Sequence, residues 1–239
     1  MGNARFVSER PGISETDSDG QLRMIMLNIN NEEHARSYPP SAGNVWWPEA
    51  SYESRGFVGE SILIIAPSGK TMLIDASWPS GYSLPDWGEI NYGTNPVLPF
   101  LNRQELNTID WAVVSHQHYD HIGGIPEIVR SKDVEVKALL WSRLPDELFK
   151  KREPTLASEC IEITDDLADA CKDHAIPIVE AKKGETIDLD DSVSLEVIST
   201  SVPDSESKSY VNNNCVVLRL TYKDFSVVLT GDAGFDQEN

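Results

Sequence analysis

Ser115-His116-Gln117-His118-Tyr119-Asp120-His121-Ile122-Gly123-Gly124 constrains this chain more than any other stretch. Three of the five histidines and one carboxylate fall between His116 and His121. The apolar run Trp111-Ala112-Val113-Val114 leads in, and a Gly-Gly pair leads out. Imidazoles and a carboxylate this close together are costly to bury unless a cation shares them. Alternate side chains of an extended segment share a face, which predicts that His116, His118 and Asp120 point together. His121 follows at once and reaches a second point as the chain turns. The spacing suits two divalent cations side by side, roughly 3.5–4 Å apart. The H-E-x-x-H helix of zinc proteases is excluded, since Gln117 and Tyr119 follow the first two histidines.

A chain of 239 residues has ample length to bury a core. No apolar run approaches the ~20 residues that span a bilayer. The polar stretch from Met1 to Gln21 lacks the apolar centre of a signal peptide, so a cytoplasmic protein with no membrane partner is expected. Cys160, Cys171 and Cys215 form no C-x-x-C pair and read as buried small side chains or free thiols of a reducing compartment. The 20 basic and 39 acidic side chains give a net charge of −19. That balance repels nucleic acid at long range and favours a small-molecule or anionic ester substrate over a polynucleotide.

Residues 1–20, rich in Ser, Asp and Glu, read as a disordered leader, and 21–239 as one domain. Leu22 to Ile29 reads as the first strand. An irregular segment from Asn30 to Gly56 and a loop from Trp78 to Tyr92 are rich in Pro and aromatics. Their Trp46, Trp47, Tyr52, Trp78, Tyr82, Trp87 and Tyr92 could stack a substrate or cover the loops themselves, and covering is favoured. Ser61 to Ile65 and Thr71 to Asp75 form a hairpin around Pro67-Ser68-Gly69-Lys70. Pro96 to Leu106, Ile125 to Arg130 and Leu156 to His174 are expected helices. Ile109 to Val114 and Val134 to Trp141 are expected strands, followed by strands at Pro177–Glu180, Thr186–Leu189, Val193–Ser199, Cys215–Tyr222 and Phe225–Leu229. Strands, helices and strands again fit a layered α/β domain with two sheets inside and helices outside.

The H-x-H-x-D-H pattern resembles that of the metallo-β-lactamase fold superfamily of metal-dependent hydrolases. Gly59-Glu60-Ser61-Ile62-Leu63-Ile64 to Leu73-Ile74-Asp75 is similar to the family's opening hairpin. Asn213-Asn214-Cys215 and Thr230-Gly231-Asp232 resemble two segments of its ComEC-like and phosphorylcholine-esterase-like subgroup. The resemblance implies a four-layered αββα sandwich. It implies that His116 and His118 hold one divalent cation, that Asp120 and His121 hold a second, and that Asp232 bridges both. Zn2+ is the first expectation and Mn2+ the alternative. The family's further His before the penultimate strand has no counterpart between Thr200 and Asn214. Its final His and the last strands and helix are expected to be missing from this chain. His34 and His174 match no ligand position and read as surface histidines.

The implied chemistry is hydrolysis by a metal-bound hydroxide, with Asp120 as the catalytic residue that orients it. The helix after Gly124 is expected to aim its positive end at an anionic substrate. Phosphodiesters are the favoured substrates. The alternatives are a lactone or carbonyl-ester hydrolase, or a metal-binding scaffold without turnover.

Overall fold

Apolar runs in the first half of the chain and alternating patterns in the last third sort its strands into two sheets. The computed structural model describes residues 5–6, 20–27, 59–81, 83–84, 90–91, 94–200, 210–234 and 237. Its strands are β1 (Arg5–Phe6), β2 (Arg23–Met26), β3 (Ile62–Ile65), β4 (Thr71–Ile74), β5 (Ser83–Leu84), β6 (Ile90–Asn91), β7 (Thr108–Ile109), β8 (Trp111–Val113), β9 (Glu135–Val136), β10 (Leu139–Trp141), β11 (Ile178–Glu180), β12 (Thr186–Asp188), β13 (Val193–Ser199), β14 (Val217–Tyr222) and β15 (Phe225–Leu229). Its helices are α1 (Val97–Arg103), α2 (Tyr119–Ile122), α3 (Ile125–Arg130), α4 (Asp146–Arg152) and α5 (Pro154–Asp173).

The first sheet runs β1-β2-β3-β4-β8-β10-β11, and the second, antiparallel, runs β12-β13-β14-β15. Every residue of β3 and β4 is buried, and all but Thr71 are apolar. One face of the first sheet, with Leu63, Leu73 and Leu139, packs on Leu101, Ile125 and Leu167 of the helices. Its other face, with Ile62, Ile64 and Met72, packs on Leu195, Leu218 and Leu220 of the second sheet. Each fully buried Leu or Ile contributes about 1.5–3 kcal/mol. Helices, sheet and sheet are thus three of the four expected layers among the described residues.

Several expectations change. Arg5–Phe6, inside the stretch read as a leader, is a strand parallel to β2. Ile109 to Val114 is two strands, and Val134 to Trp141 is two. β7 pairs with β9 apart from the main sheet. Helix α4 precedes α5 and was not anticipated. Trp78 is buried at 1% exposure and packs inside rather than facing a ligand. Trp46, Trp47, Tyr52, Tyr82, Trp87, Tyr92 and His34 lie outside the described residues. His174 ends α5 and is exposed, and all three cysteines are buried free thiols, as expected.

Candidate metal centre

Strand β8 carries the chain from the core to the motif at its C-terminal end. His116 is 1% exposed just beyond it. His118 is the last extended residue (φ −71°, ψ 143°), and Asp120 and His121 sit on the single turn of α2. The alternation expected for His116, His118 and Asp120 therefore stops at His118, because the chain coils there. The Gly-Gly exit has a steric cause. A Cβ at Gly123 would lie 2.4 Å from the Pro79 nitrogen, and one at Gly124 would lie 2.3 Å from the Ala76 carbonyl oxygen. The Gly124 N–H donates to the Ser77 carbonyl, and Pro126 has no N–H.

The second sheet delivers Asp232 on the turn after β15. Gly231 there has φ 51°, and a Cβ on it would lie 2.9 Å from Ser115 Oγ, so the turn presses against the motif. A His116 nitrogen, a His121 nitrogen and an Asp232 oxygen lie within 4.8 Å of one another. His116 Nε2 faces His118 Nδ1 at 3.0 Å, and His121 Nε2 faces Asp232 Oδ1 at 3.5 Å. Four of the five predicted ligands thus converge. Asp120 is partly buried beside them, under the charges of His121, His118 and Asp232, but lies outside that compact group. Burial pushes its carboxyl pKa up.

The outer atoms of the histidines decide where the inner lone pairs point. Asp75 ends β4 in the left-handed region (φ 57°), fully buried. Its Oδ1 accepts the Ser115 N–H at 2.8 Å, and its Oδ2 accepts the Ser115 hydroxyl at 2.5 Å. An ionised carboxylate only accepts, so His121 Nδ1, 2.8 Å from Oδ2, is the protonated nitrogen and donates. The Ser115 proton is spent on Asp75, so His116 Nδ1 donates to Ser115 Oγ at 3.0 Å. His118 Nε2 donates to Glu153 Oε2 at 2.9 Å. His116 and His118 are each left with a lone pair on the inner nitrogen, while the inner Nε2 of His121 faces the Asp232 carboxylate. Two such lone pairs at 3.0 Å repel unless a cation lies between them, and this donor set fits a divalent metal.

The two buried rings titrate in opposite directions. Burial, then the neighbouring His121 and His118, hold His116 well below the usual imidazole range, in the form a metal needs. Burial opposes a charge on His121, but Asp75 and Asp232 outweigh it and raise its pKa well above the usual value. The bond to His121 lowers Asp232. Burial, then the Asp75 charge, push Glu60 up to about 7.

Asp75 was visible in the sequence as part of the opening hairpin, but its hold on Ser115 and His121 was not. Glu153 and Glu60 were missed. Glu153 lies 35 residues from His118, and no local pattern marks such a partner.

The chain is similar to ComE operon protein 3 of Bacillus subtilis (strain 168), 26% identical over 179 residues, 73% of this chain and 21% of that protein. It is 32% identical over 73 residues to endoribonuclease ysh1 of Schizosaccharomyces pombe, 30% of this chain and 8% of that protein. The chain therefore spans only about a fifth or less of the length of these two relatives. Its fold resembles a probable metal-dependent hydrolase from Staphylococcus aureus, with TM-score 0.52 at 14% identity, covering 93% of this chain and 74% of that one. The family model of the metallo-beta-lactamase superfamily matches residues 55–239, which take in both sheets' contributions to the centre. With that match, the chain belongs to the metallo-beta-lactamase superfamily of metal-dependent hydrolases.

Proposed function

We propose that this chain hydrolyses small anionic phosphodiesters, using two divalent cations held by His116, His118, Asp120, His121 and Asp232. The observation that carries the reading is the set of contacts from Asp75, Ser115 and Glu153 to the outer ring nitrogens, which turn the inner nitrogens of His116, His118 and His121 towards the centre. Bound divalent cations acidify water and neutralise charge developing on a substrate oxygen. His116 and His118 bind and stay neutral. Asp120 orients the attacking water through its carboxylate. Asp232, with two oxygens, can serve both cation positions. The endoribonuclease relative is named for an activity that breaks phosphodiester links, which supports that bond class here. The net charge of −19 weighs against a long polynucleotide and for a small ester.

The test loads metal-free protein with Zn2+ or Mn2+ and assays bis(p-nitrophenyl) phosphate beside p-nitrophenyl acetate and a lactone. Metal-dependent phosphodiester turnover, lost at least ~100-fold in Asp120→Ala with the fold intact, is expected. Turnover of the carbonyl substrates alone would replace phosphodiester by carboxylic ester or lactone. Tight metal uptake without turnover of any substrate would mark a binding protein.

A further inference from the structure

One acidic side chain outside the motif lies against the centre without a partner. Glu60 is partly buried, and no donor or basic side chain among the described residues bonds to its carboxylate. One of its oxygens lies within 4.8 Å of an Asp75 oxygen and a His121 nitrogen, and the repulsion from Asp75 and Asp232 is only partly offset by His121. An ordinary surface glutamate would turn away to water. The backbone of this one is clamped. Its N–H donates to the Asp120 carbonyl at 3.3 Å, and its carbonyl accepts the Ser77 N–H at 3.0 Å. The preceding Gly59 (φ 149°) has no room for a side chain, because a Cβ would lie 2.4 Å from the Asp120 oxygen. That same Cβ position is 3.2 Å from Ser77 Oγ, a fully buried hydroxyl with no hydrogen-bond partner among the described residues. The segment that docks Glu60 on the motif thus carries two polar groups with no bonding partner among the described residues. A carboxylate held among other carboxylates is costly unless a cation compensates it.

We propose that Glu60 is a ligand of the second cation, on the His121 side of the centre. The proposal rests on the metal reading above and adds a donor that the histidine motif does not contain. It makes the second position one imidazole among carboxylates. Such an oxygen-rich set suits Mn2+ better than the two-imidazole first position, where Zn2+ is at home.

The experiment titrates metal-free wild type, Glu60→Gln and Glu60→Asp with Mn2+ and, separately, with Zn2+ by calorimetry, and records melting before and after loading. Wild type is expected to take two cations. Glu60→Gln should leave the first equivalent unchanged and weaken the second Mn2+ at least ~10-fold, with Glu60→Asp between the two. Metal-free Glu60→Gln should melt no lower than wild type, because repulsion from Asp75 and Asp232 has been removed. Two cations bound equally well by wild type and Glu60→Gln would overturn the proposal and leave the metal reading standing. Metal-free Glu60→Gln melting below wild type would also overturn it and mark Glu60 as structural. A wild-type chain that binds no cation would overturn the metal reading and the proposal with it.

Discussion

At His118 a single carboxylate decides which ring nitrogen is left to bind. Glu153 Oε2 accepts a hydrogen bond from the Nε2–H at 2.9 Å, while its Oε1 accepts the Val211 N–H at 2.7 Å. Burial works against that charge, but His118 and the backbone N–H groups of Val211 and Tyr210 hold the Glu153 carboxyl below its usual range. The residue therefore joins three parts of the molecule: the junction of α4 and α5, the motif, and the segment leading into β14. Glu153→Gln keeps the shape but offers one acceptor oxygen where two donors point inward. Its NH2 group must face either Val211 N–H or His118 Nε2–H. The expected outcome is a first-cation affinity lower by about 10–100-fold with the far-UV spectrum unchanged. Zn2+ calorimetry checks it, and unchanged affinity would mean that His118 needs no orienting partner.

Between elements, the analogous joint is Asp190. Its Oδ1 accepts the Ser192 N–H at 2.7 Å, the Ser192 hydroxyl at 2.9 Å and the Val193 N–H at 2.8 Å, closing the turn between β12 and β13. Its Oδ2 accepts the Ser68 N–H at 3.1 Å, on the turn between β3 and β4. One side chain thus ties the turns of the two sheets together. Burial alone would raise its pKa, but the bonds from Ser192 and Ser68 lower it. A carboxylate lowered on folding stabilises above the unfolded value of about 4, and that contribution is lost as pH falls through the folded value. Asp190→Ala should cost about 1–2 kcal/mol at pH 7 in urea titrations. The gap from wild type should narrow towards pH 3, and a gap independent of pH would show that the charge is irrelevant. The contrast between Asp190 and β13 explains what was legible. The alternation of Val193–Ser199 names its own buried face, and Lys223 at φ 53° makes the two-residue turn into β15 that Tyr222-Lys223-Asp224-Phe225 suggested. Val134 to Trp141 looked like one strand because apolar content carries no mark of where pairing changes partner from β7 to β8. His116, His118 and His121 were legible because their spacing is local. Asp75, Glu153 and Glu60 acquire their roles only when distant segments meet, and a carboxylate in sequence does not say which ring it will hold.

Over the whole molecule, the acidic excess and the centre meet in one electrostatic argument. A net charge of −19 repels itself in the compact state, and the metal-free centre adds Glu60, Asp75, Asp120 and Asp232 at close quarters. Salt screens charges beyond a Debye length, about 30 Å at 0.01 M but only about 8 Å at 0.15 M. Added salt should therefore relieve the repulsion spread over the surface, whereas bound cations relieve the repulsion within the centre. Metal-free protein is expected to melt at a higher temperature in 0.5 M NaCl than in 0.02 M NaCl. The loaded protein should gain less from the same salt, because its centre is already neutralised. Melting curves of both forms at the two salt concentrations test this, with sodium sulfate as a second salt to separate screening from specific chloride binding. A melting temperature that does not rise with salt would show that the acidic side chains are spaced too widely to repel. A rise equal in both forms would place all of the repulsion on the surface and none in the centre.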